Sequence, residues 1–394
     1  MASLPRLPSG LPAGLDPEAF LAEHWQKQPL LLRAAFPGFR SPLTADELAG
    51  LACDPAVESR LVLGSPQGPW RLENGPFTTE RFSELSERDW TLLAQDVDKH
   101  LPELARILEA FAFLPRWRID DLMISYAPPG GSVGPHVDAY DVFLLQAEGQ
   151  RRWQIDPEPG SLALREDSDI RVLDDFEPVR EWVLEPGDML YLPPGVAHHG
   201  IAESECMTWS IGFRAPDAPE MISDLAEYVA SRQAEDRRYR DSDLHSHEAG
   251  AHISTQAVAR LRAVLRDLLE MEDETLADWF GQFITEPKPW LRAESPESGT
   301  RLESDPGKYL SGGQALILRS DVLVAWREGA DGQIRLFLDG EMELWPPDTK
   351  ELARRLADCR RLVPEDHDLV VGGQARKLVT EWIMRGLLEP GDNE

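Results

Sequence analysis

The spacing of apolar positions divides the chain into stretches of different texture. Near the start, DPEAFLAEHWQKQPLLLRAAFPG reads as a short helix opened by Asp16 and Pro17, then a short strand at Leu30 to Leu32. Between Leu43 and Leu114 helical spacing dominates, as in LTADELAGLA and DVDKHLPELARILEAF, with Thr44 and Asp46 suited to N-cap and first-turn positions. From Trp117 onward the apolar runs shorten and are broken by Gly and Pro: DDLMISYA, DVFLLQAE, RRWQI, REWVL, DMLYLPP and MTWSIGF. That spacing predicts an all-β sandwich or barrel.

After Phe213 the three-and-four spacing returns. In STQAVARLRAVLRDLLEMEDETLADWFGQF, the residues Ala257, Leu261, Val264, Leu265, Leu268 and Leu269 form a wide apolar stripe, suited to a helix hairpin or a dimer interface. Residues 286–305 are rich in Pro, Glu and Ser and predict an exposed linker. Beyond it ALILRSDVLVAWRE and IRLFLDGEMELWP read as strands, with Asp339 and Gly340 placed as a two-residue hairpin turn. Helical patterns follow at residues 349–361 and 374–385, the second closed by Gly386. Helices around a β-wing suggest a winged-helix-like unit. Its basic face is thin, Arg376 and Lys377 in an acidic chain, which favours protein contact over direct nucleic-acid binding.

Composition narrows the classes. At 394 residues, 42% hydrophobic and 28% charged, the chain reads as a folded protein of two or three domains. Its 70 acidic against 40 basic residues give a net charge of −30, which repels nucleic acid and anionic membranes and attracts basic partners, ribosomal proteins among them. Cys53, Cys206 and Cys359 stand far apart with no CxxC pair, so neither a disulfide framework nor a zinc cluster is encoded. No apolar run reaches the roughly 18 residues of a membrane span, and the opening segment carries Pro and Gly where a signal peptide needs an unbroken apolar core. The expectation is a cytoplasmic protein in a reducing compartment.

Candidate chemistry sits in the β-rich block. If Val137 is extended, the side chains of His136 and Asp138 project from one face. In GDMLYLPPGVAHHG a short strand at residues 190–192 and a Pro-Pro-Gly turn are followed by His198, ahead of a strand at 207–213; the placement favours His198 over His199 as a third ligand. Two imidazoles and a carboxylate on one face leave three octahedral positions open, the requirement of a non-haem Fe(II) oxygenase for a co-substrate and dioxygen. A dicarboxylate such as 2-oxoglutarate would need a cation for its distal carboxylate. QRRWQI offers two, Arg151 and Arg152 on opposite faces of a strand, so that one of them should point inward.

Together YAPPGGSVGPHVDAYDVFLLQAEGQRRWQI, GDMLYLPPGVAHHG, SIGFRAP and the early HWQKQPLLL resemble the JmjC-type ribosomal oxygenases, in particular the bacterial branch that hydroxylates an arginine of large-subunit ribosomal protein L-sixteen. The likeness is strong over about residues 15–216, moderate through the helical middle and weak in the C-terminal third. It implies an α+β fold: a double-stranded β-helix, the JmjC or cupin jelly roll, with a helical dimerisation region and a C-terminal winged helix. The corresponding divisions are 1–216, 217–290 and 291–394. It further implies that His136, Asp138 and His198 hold Fe(II), that Arg151 and Ser125 contact 2-oxoglutarate, and that dioxygen is consumed in hydroxylating arginine C-3 of a basic ribosomal protein, with the enzyme a homodimer. An arginine substrate would need carboxylates at the pocket mouth, for which Asp120, Asp121 and Asp141 are candidates. The competing expectations are a JmjC enzyme acting on a histidine of another ribosomal protein or as a demethylase, a metal-binding cupin-like protein without oxygenase activity, and an acidic ribosome-assembly adaptor.

Overall fold

The computed structural model describes residues 7–65, 68–232, 238–246, 251–288 and 305–391. Most of the predicted linker at 286–305 lies outside the described residues.

The N-terminal part begins with α1 (Pro17–Glu23), where the Asp16 carboxylate accepts from the Ala19 N–H and Pro17 opens the helix, and β1 (Leu30–Leu32). Next comes α2 (Ala45–Leu51), closed at its start by a reciprocal capping box between Thr44 and Glu47. From here the structure departs from the helical expectation for residues 43–114. Three strands, β2 (Ser59–Leu63), β3 (Arg71–Asn74) and β4 (Trp90–Ala94), alternate with short helices α3 (Thr79–Ser83) and α4 (Val97–His100), and 104–111 is a 3-10 helix. The physical reason is tertiary: β4 pairs with the edge of the following long strand and β2 and β3 extend it, so neighbouring strands override weak local preference.

The β-rich block runs as β5 (Ile119–Ala127), β6 (His136–Val137), β7 (Asp141–Glu148), β8 (Arg151–Asp156), β9 (Arg180–Leu184), β10 (Met189–Leu192), β11 (Ala197–Ala202) and β12 (Cys206–Phe213). All pairings are antiparallel and make two sheets, β1-β10-β7-β12-β5-β4-β2-β3 and β6-β11-β8-β9. Alternation assigns the two faces of the large sheet. Phe143, Leu145, Tyr191, Trp209 and Ile211 pack outward on Phe20, Leu48, Ile107 and Phe111 of the N-terminal elements, while Val142, Leu144, Leu190 and Leu192 point inward to Trp153, Ile155 and Leu184 of the small sheet. Both faces are covered, so β7 reads as a near-continuous apolar run.

Three helices follow: α5 (Ala218–Arg232), α6 (Thr255–Leu269) and α7 (Asp273–Ile284). On α6 four apolar side chains, Val258, Leu261, Leu265 and Leu269, are exposed. By contrast α7 packs on the C-terminal unit, where Phe337 lies so close to Gly281 that a methyl group there would clash. Arg327 also pairs with Glu274 and Asp278 of α7.

The C-terminal unit contains α8 (Pro306–Ser311), β13 (Ala315–Leu318), β14 (Val324–Glu328), β15 (Ile334–Leu338), β16 (Glu341–Trp345), α9 (Lys350–Cys359), β17 (Arg361–Leu362), α10 (His367–Val370), α11 (Gly373–Met384) and β18 (Leu388–Gly391). Its sheets are β17-β13-β18 and the wing β14-β15-β16. The β15–β16 turn falls at Asp339 and Gly340, both with positive φ as a type I′ turn requires. Arg361 belongs to β17, two residues beyond Cys359, where the helix stops as Arg360 turns left-handed. Among the described residues no helix is long and apolar enough to cross a membrane.

Candidate functional site

The sequence places His198 after a turn; the structure places it there and adds that it is the second residue of a strand, β11. AHHGIA lacks alternation because β11 is central, flanked by β6 and β8 and buried through Ala197, His198, His199 and Gly200. His198 is the direct cross-strand partner of His136, which brings their rings to 4.2 Å between centroids. Asp138 follows β6, and its carbonyl accepts from the N–H of Gly195, so the Pro-Pro-Gly turn before β11 holds the segment in place.

The nitrogen chemistry is fixed by backbone. The Nδ1 of His136 lies 2.9 Å from the Gly134 carbonyl and that of His198 lies 3.0 Å from the Val196 carbonyl. A carbonyl can only accept, so each Nδ1 carries the proton and each Nε2 presents a lone pair. Both Nε2 atoms face Asp138, at 3.9 Å from His136 and 3.5 Å from His198. Burial, with the neighbouring His136, pushes His198 down to about 4, so this pair is not a salt bridge at neutral pH. One ligand atom from each of the three residues lies within 4.8 Å of the other two. Two neutral imidazoles and a carboxylate with second nitrogens anchored are a fitting donor set for a divalent transition metal.

Around the triad the lumen is lined by inward-facing positions of the strands. Arg151 is 3% exposed, and its Nε and Nη2 have no hydrogen-bond partner. Arg152, on the opposite face, pairs with Glu181 and Glu203. Arg151 therefore is the arginine of the pair that needs an anion, and a bound carboxylate of a dicarboxylate would satisfy it. It lies against Trp153, 5.8 Å from guanidinium carbon to ring centroid, and Trp153 in turn fits over Gly200, where any Cβ would meet the indole at 2.7 Å. Ser125 is buried on β5, its hydroxyl 3.5 Å from the Thr208 carbonyl. His199 is buried on the outer face of β11, its Nε2 without a partner and its pKa pushed down to about 4, first by burial.

Two regions of this chain match known families: residues 106–221 the JmjC domain, and residues 264–389 the ROXA-like winged helix. The ribosomal protein uL16 3-hydroxylase of Escherichia coli is 41% identical over 278 residues, covering 71% of this chain and 74% of that protein. The chain belongs to the JmjC-domain ribosomal oxygenases. A probable ribosomal oxygenase of Haemophilus influenzae is 38% identical over 229 residues, 58% of this chain and 56% of that protein. Among solved structures, YcfD, a ribosomal oxygenase from Escherichia coli, superposes with a TM-score of 0.81 at 34% identity, covering 97% of this chain and 99% of that one. The same protein in complex with cobalt and 2-oxoglutarate superposes at 0.79 and 34% identity, covering 96% of this chain and 98% of that one.

In this member of the family the three carboxylates suggested for a pocket mouth separate. Asp141 is fully buried and accepts from the Tyr191 hydroxyl at 2.6 Å, Gln26 at 3.0 Å and Arg118 at 3.1 Å, so it is committed to the architecture. Asp120 turns away from the lumen and pairs with Lys288 at 3.1 Å. Asp121 shares its strand face with Met123 and Ser125 and accepts from the Asp96 N–H at 3.1 Å. Burial pushes Asp121 up to about 7, against the pull of Lys288. Its charge reaches Tyr140, whose phenol is pushed up by desolvation and then by Asp138. Tyr140 is a residue beside Asp138 that the sequence reading passed over; the chain bends at 139 and 140 beyond β6, so no strand period points to it.

Proposed function

We propose that this chain is an Fe(II)- and 2-oxoglutarate-dependent protein hydroxylase that adds a hydroxyl at C-3 of an arginine of ribosomal protein uL16, in the cytoplasm. One observation carries the reading: the Nε2 atoms of His136 and His198 and the Asp138 carboxylate converge in a lumen that also buries an unpartnered guanidinium, Arg151. His136, Asp138 and His198 would hold the metal. Arg151, with Ser125 nearby on β5, would hold the far carboxylate of 2-oxoglutarate. Bound Fe(II) with 2-oxoglutarate and dioxygen supplies the oxidising power to insert one oxygen atom into a C–H bond, with succinate and carbon dioxide as by-products. The chain's own part is placement: the strand pair β6–β11 fixes the ligands, Trp153 walls Arg151 from water, and Asp121 offers an acidic group to a substrate guanidinium.

The acidic surface, at a net charge of −30, suits a basic ribosomal protein as the substrate and disfavours bare nucleic acid. The exposed row Val258, Leu261, Leu265 and Leu269 on α6 supports a homodimer built on that helix, and the division 1–216, 217–290 and 291–394 into oxygenase, dimerisation and winged-helix parts accompanies it.

The test is direct. Enzyme loaded anaerobically with Fe(II), then given oxygen, 2-oxoglutarate and uL16 peptides, should add one oxygen atom to one arginine by mass spectrometry. His136→Ala should reduce that product by roughly a thousandfold or more and abolish stoichiometric metal binding, because two ligands do not hold the ion. Succinate release without peptide oxidation would retain the oxygenase and reject the substrate. For the dimer, Leu261→Glu with Leu265→Glu should convert a dimer to a monomer by light scattering; a monomeric parent protein rejects it.

A further inference from the structure

One cavity of the molecule lies away from the triad. It is a space of about 670 Å³ at the seam between the oxygenase part and the winged-helix unit. One wall carries Arg106 and Arg116 from the 3-10 turns before β5, and the other carries Arg319, Arg360 and Arg361 around β13 and β17. Eight Lys and Arg against six Asp and Glu line it, a positive excess inside a chain whose net charge is −30.

Most of these cations are committed. Lys99 pairs with Asp98 at 2.7 Å, Lys288 with Asp96 and Asp120, Arg319 with Asp321, and Arg361 with Glu109 across the seam. Arg360 donates to the carbonyls of Arg319 and Val322, and Arg214 to that of Ile284. Two remain. Among the described residues neither Arg106 nor Arg116 makes a side-chain ion pair or hydrogen bond, and the Nε of Arg106 is buried without a partner. Desolvation pushes Arg116 down, and Arg360 is pushed down to about 9 by burial and then by the nearby charge of Arg116. The carboxylate that acts most on Arg116 is Glu109, already paired with Arg361, so a multivalent anion in the cavity would satisfy Arg106 and Arg116 without displacing an existing pair.

We propose that the seam cavity is a binding site for a phosphoryl group, of a ligand from pyrophosphate to nucleotide size, held by Arg106 and Arg116 and bridging the two units. The guanidinium fork matches phosphate oxygens two at a time, and the volume lies within the usual range of small-molecule sites. Trp117, Ile119 and Ile317 supply an apolar side to the same space, fit for a base or sugar. The site is separate from the metal triad, so nothing in this inference depends on the hydroxylase reading.

Calorimetric titration of the full-length protein with inorganic pyrophosphate, with ATP and with a short single-stranded RNA decides it. The expected result is saturable one-to-one binding of pyrophosphate or ATP, weakened at least tenfold in Arg106→Gln and in Arg116→Gln, weakened less in Arg116→Lys, which keeps the charge and loses the fork, and weakened by salt. Melting temperatures of the variants close to the parent's establish that the loss is not unfolding, and 2-oxoglutarate turnover should be unchanged. Binding of RNA alone with the same arginine dependence supports the phosphoryl site and assigns the phosphate to a polynucleotide backbone. No saturable binding of any probe, or binding indifferent to both Gln variants, overturns the proposal.

Discussion

Arg118 and Arg151 are both arginines of the oxygenase part that reach into its interior, on opposite sides of the large sheet, and their surroundings differ in one respect. Arg118 meets a carboxylate: Asp141, at 0% exposure, takes its Nη2 together with the Tyr191 hydroxyl and the Gln26 amide, and Trp25 lies 5.4 Å from the guanidinium carbon. Arg151 meets an indole and no anion, with two of its nitrogens unsatisfied. Arg118 too has a buried nitrogen without a partner, its Nε, so what separates the two is the counter-charge: a buried charge that has one is architecture, and a buried charge without one stores free energy that a ligand can release. The contrast predicts opposite responses to removing one partner on each side.

The larger effect is at the paired node. Asp141→Ala would strand Arg118, Tyr191 and Gln26 together, and breaking such a buried pair costs about 3–5 kcal/mol. Urea unfolding should show that loss as a lower midpoint with an unchanged slope, while the KM for 2-oxoglutarate stays as in the parent. A variant of near-parental stability would remove Asp141 from the architecture and return it to the candidates for substrate contact.

At the unpaired node the signs reverse. Arg151→Met deletes a desolvated charge and keeps the packing volume, so the protein without co-substrate should unfold at an equal or higher urea concentration. The KM for 2-oxoglutarate should rise by about a hundredfold, the loss of one or two charge-assisted hydrogen bonds. A destabilised Arg151→Met with an unaltered KM would show that the guanidinium holds the lumen together and not the co-substrate.

The sequence reading fared unevenly for physical reasons visible at these same places. The donor spacing of His136 and Asp138, the start of α1 at Asp16 and Pro17, the N-cap at Thr44 and the Asp339–Gly340 turn are local, and local chemistry is what a sequence displays. The strand β11 was hidden because burial on both faces erases the alternation that betrays strands. The strands β2 to β4 were hidden because they are short, lie among the short helices α2, α3 and α4, and owe their existence to the edge of β5. Asp141 was misplaced since its partners Gln26 and Tyr191 lie 115 and 50 residues away. The seam cavity is more remote still, with Glu109 and Arg361 separated by 252 positions.

Asp121 stands between the two extremes and gives the smallest and sharpest test. It is buried, accepts one backbone N–H, and feels Lys288 and Lys99 without a direct pair to either. Its carboxyl is raised from 3.8 to about 7, first by burial, so between about pH 4 and about pH 7 the folded chain keeps a proton that the unfolded chain has released. By linkage, the stability this proton contributes is present below about pH 4 and is lost as pH rises to about 7. Asp121→Asn, which cannot ionise, should therefore gain stability relative to the parent across that window, measured as the difference of urea midpoints against pH. If Asp121 also receives the substrate guanidinium, it must be ionised to do so. The KM for an arginine peptide should then fall by about tenfold as pH rises through 7 in the parent, in line with a charge-assisted hydrogen bond, and stay flat in Asp121→Asn. A pH-dependent stability difference with identical KM profiles would leave Asp121 a buried acid of the fold, closer to Asp141 than to Arg151.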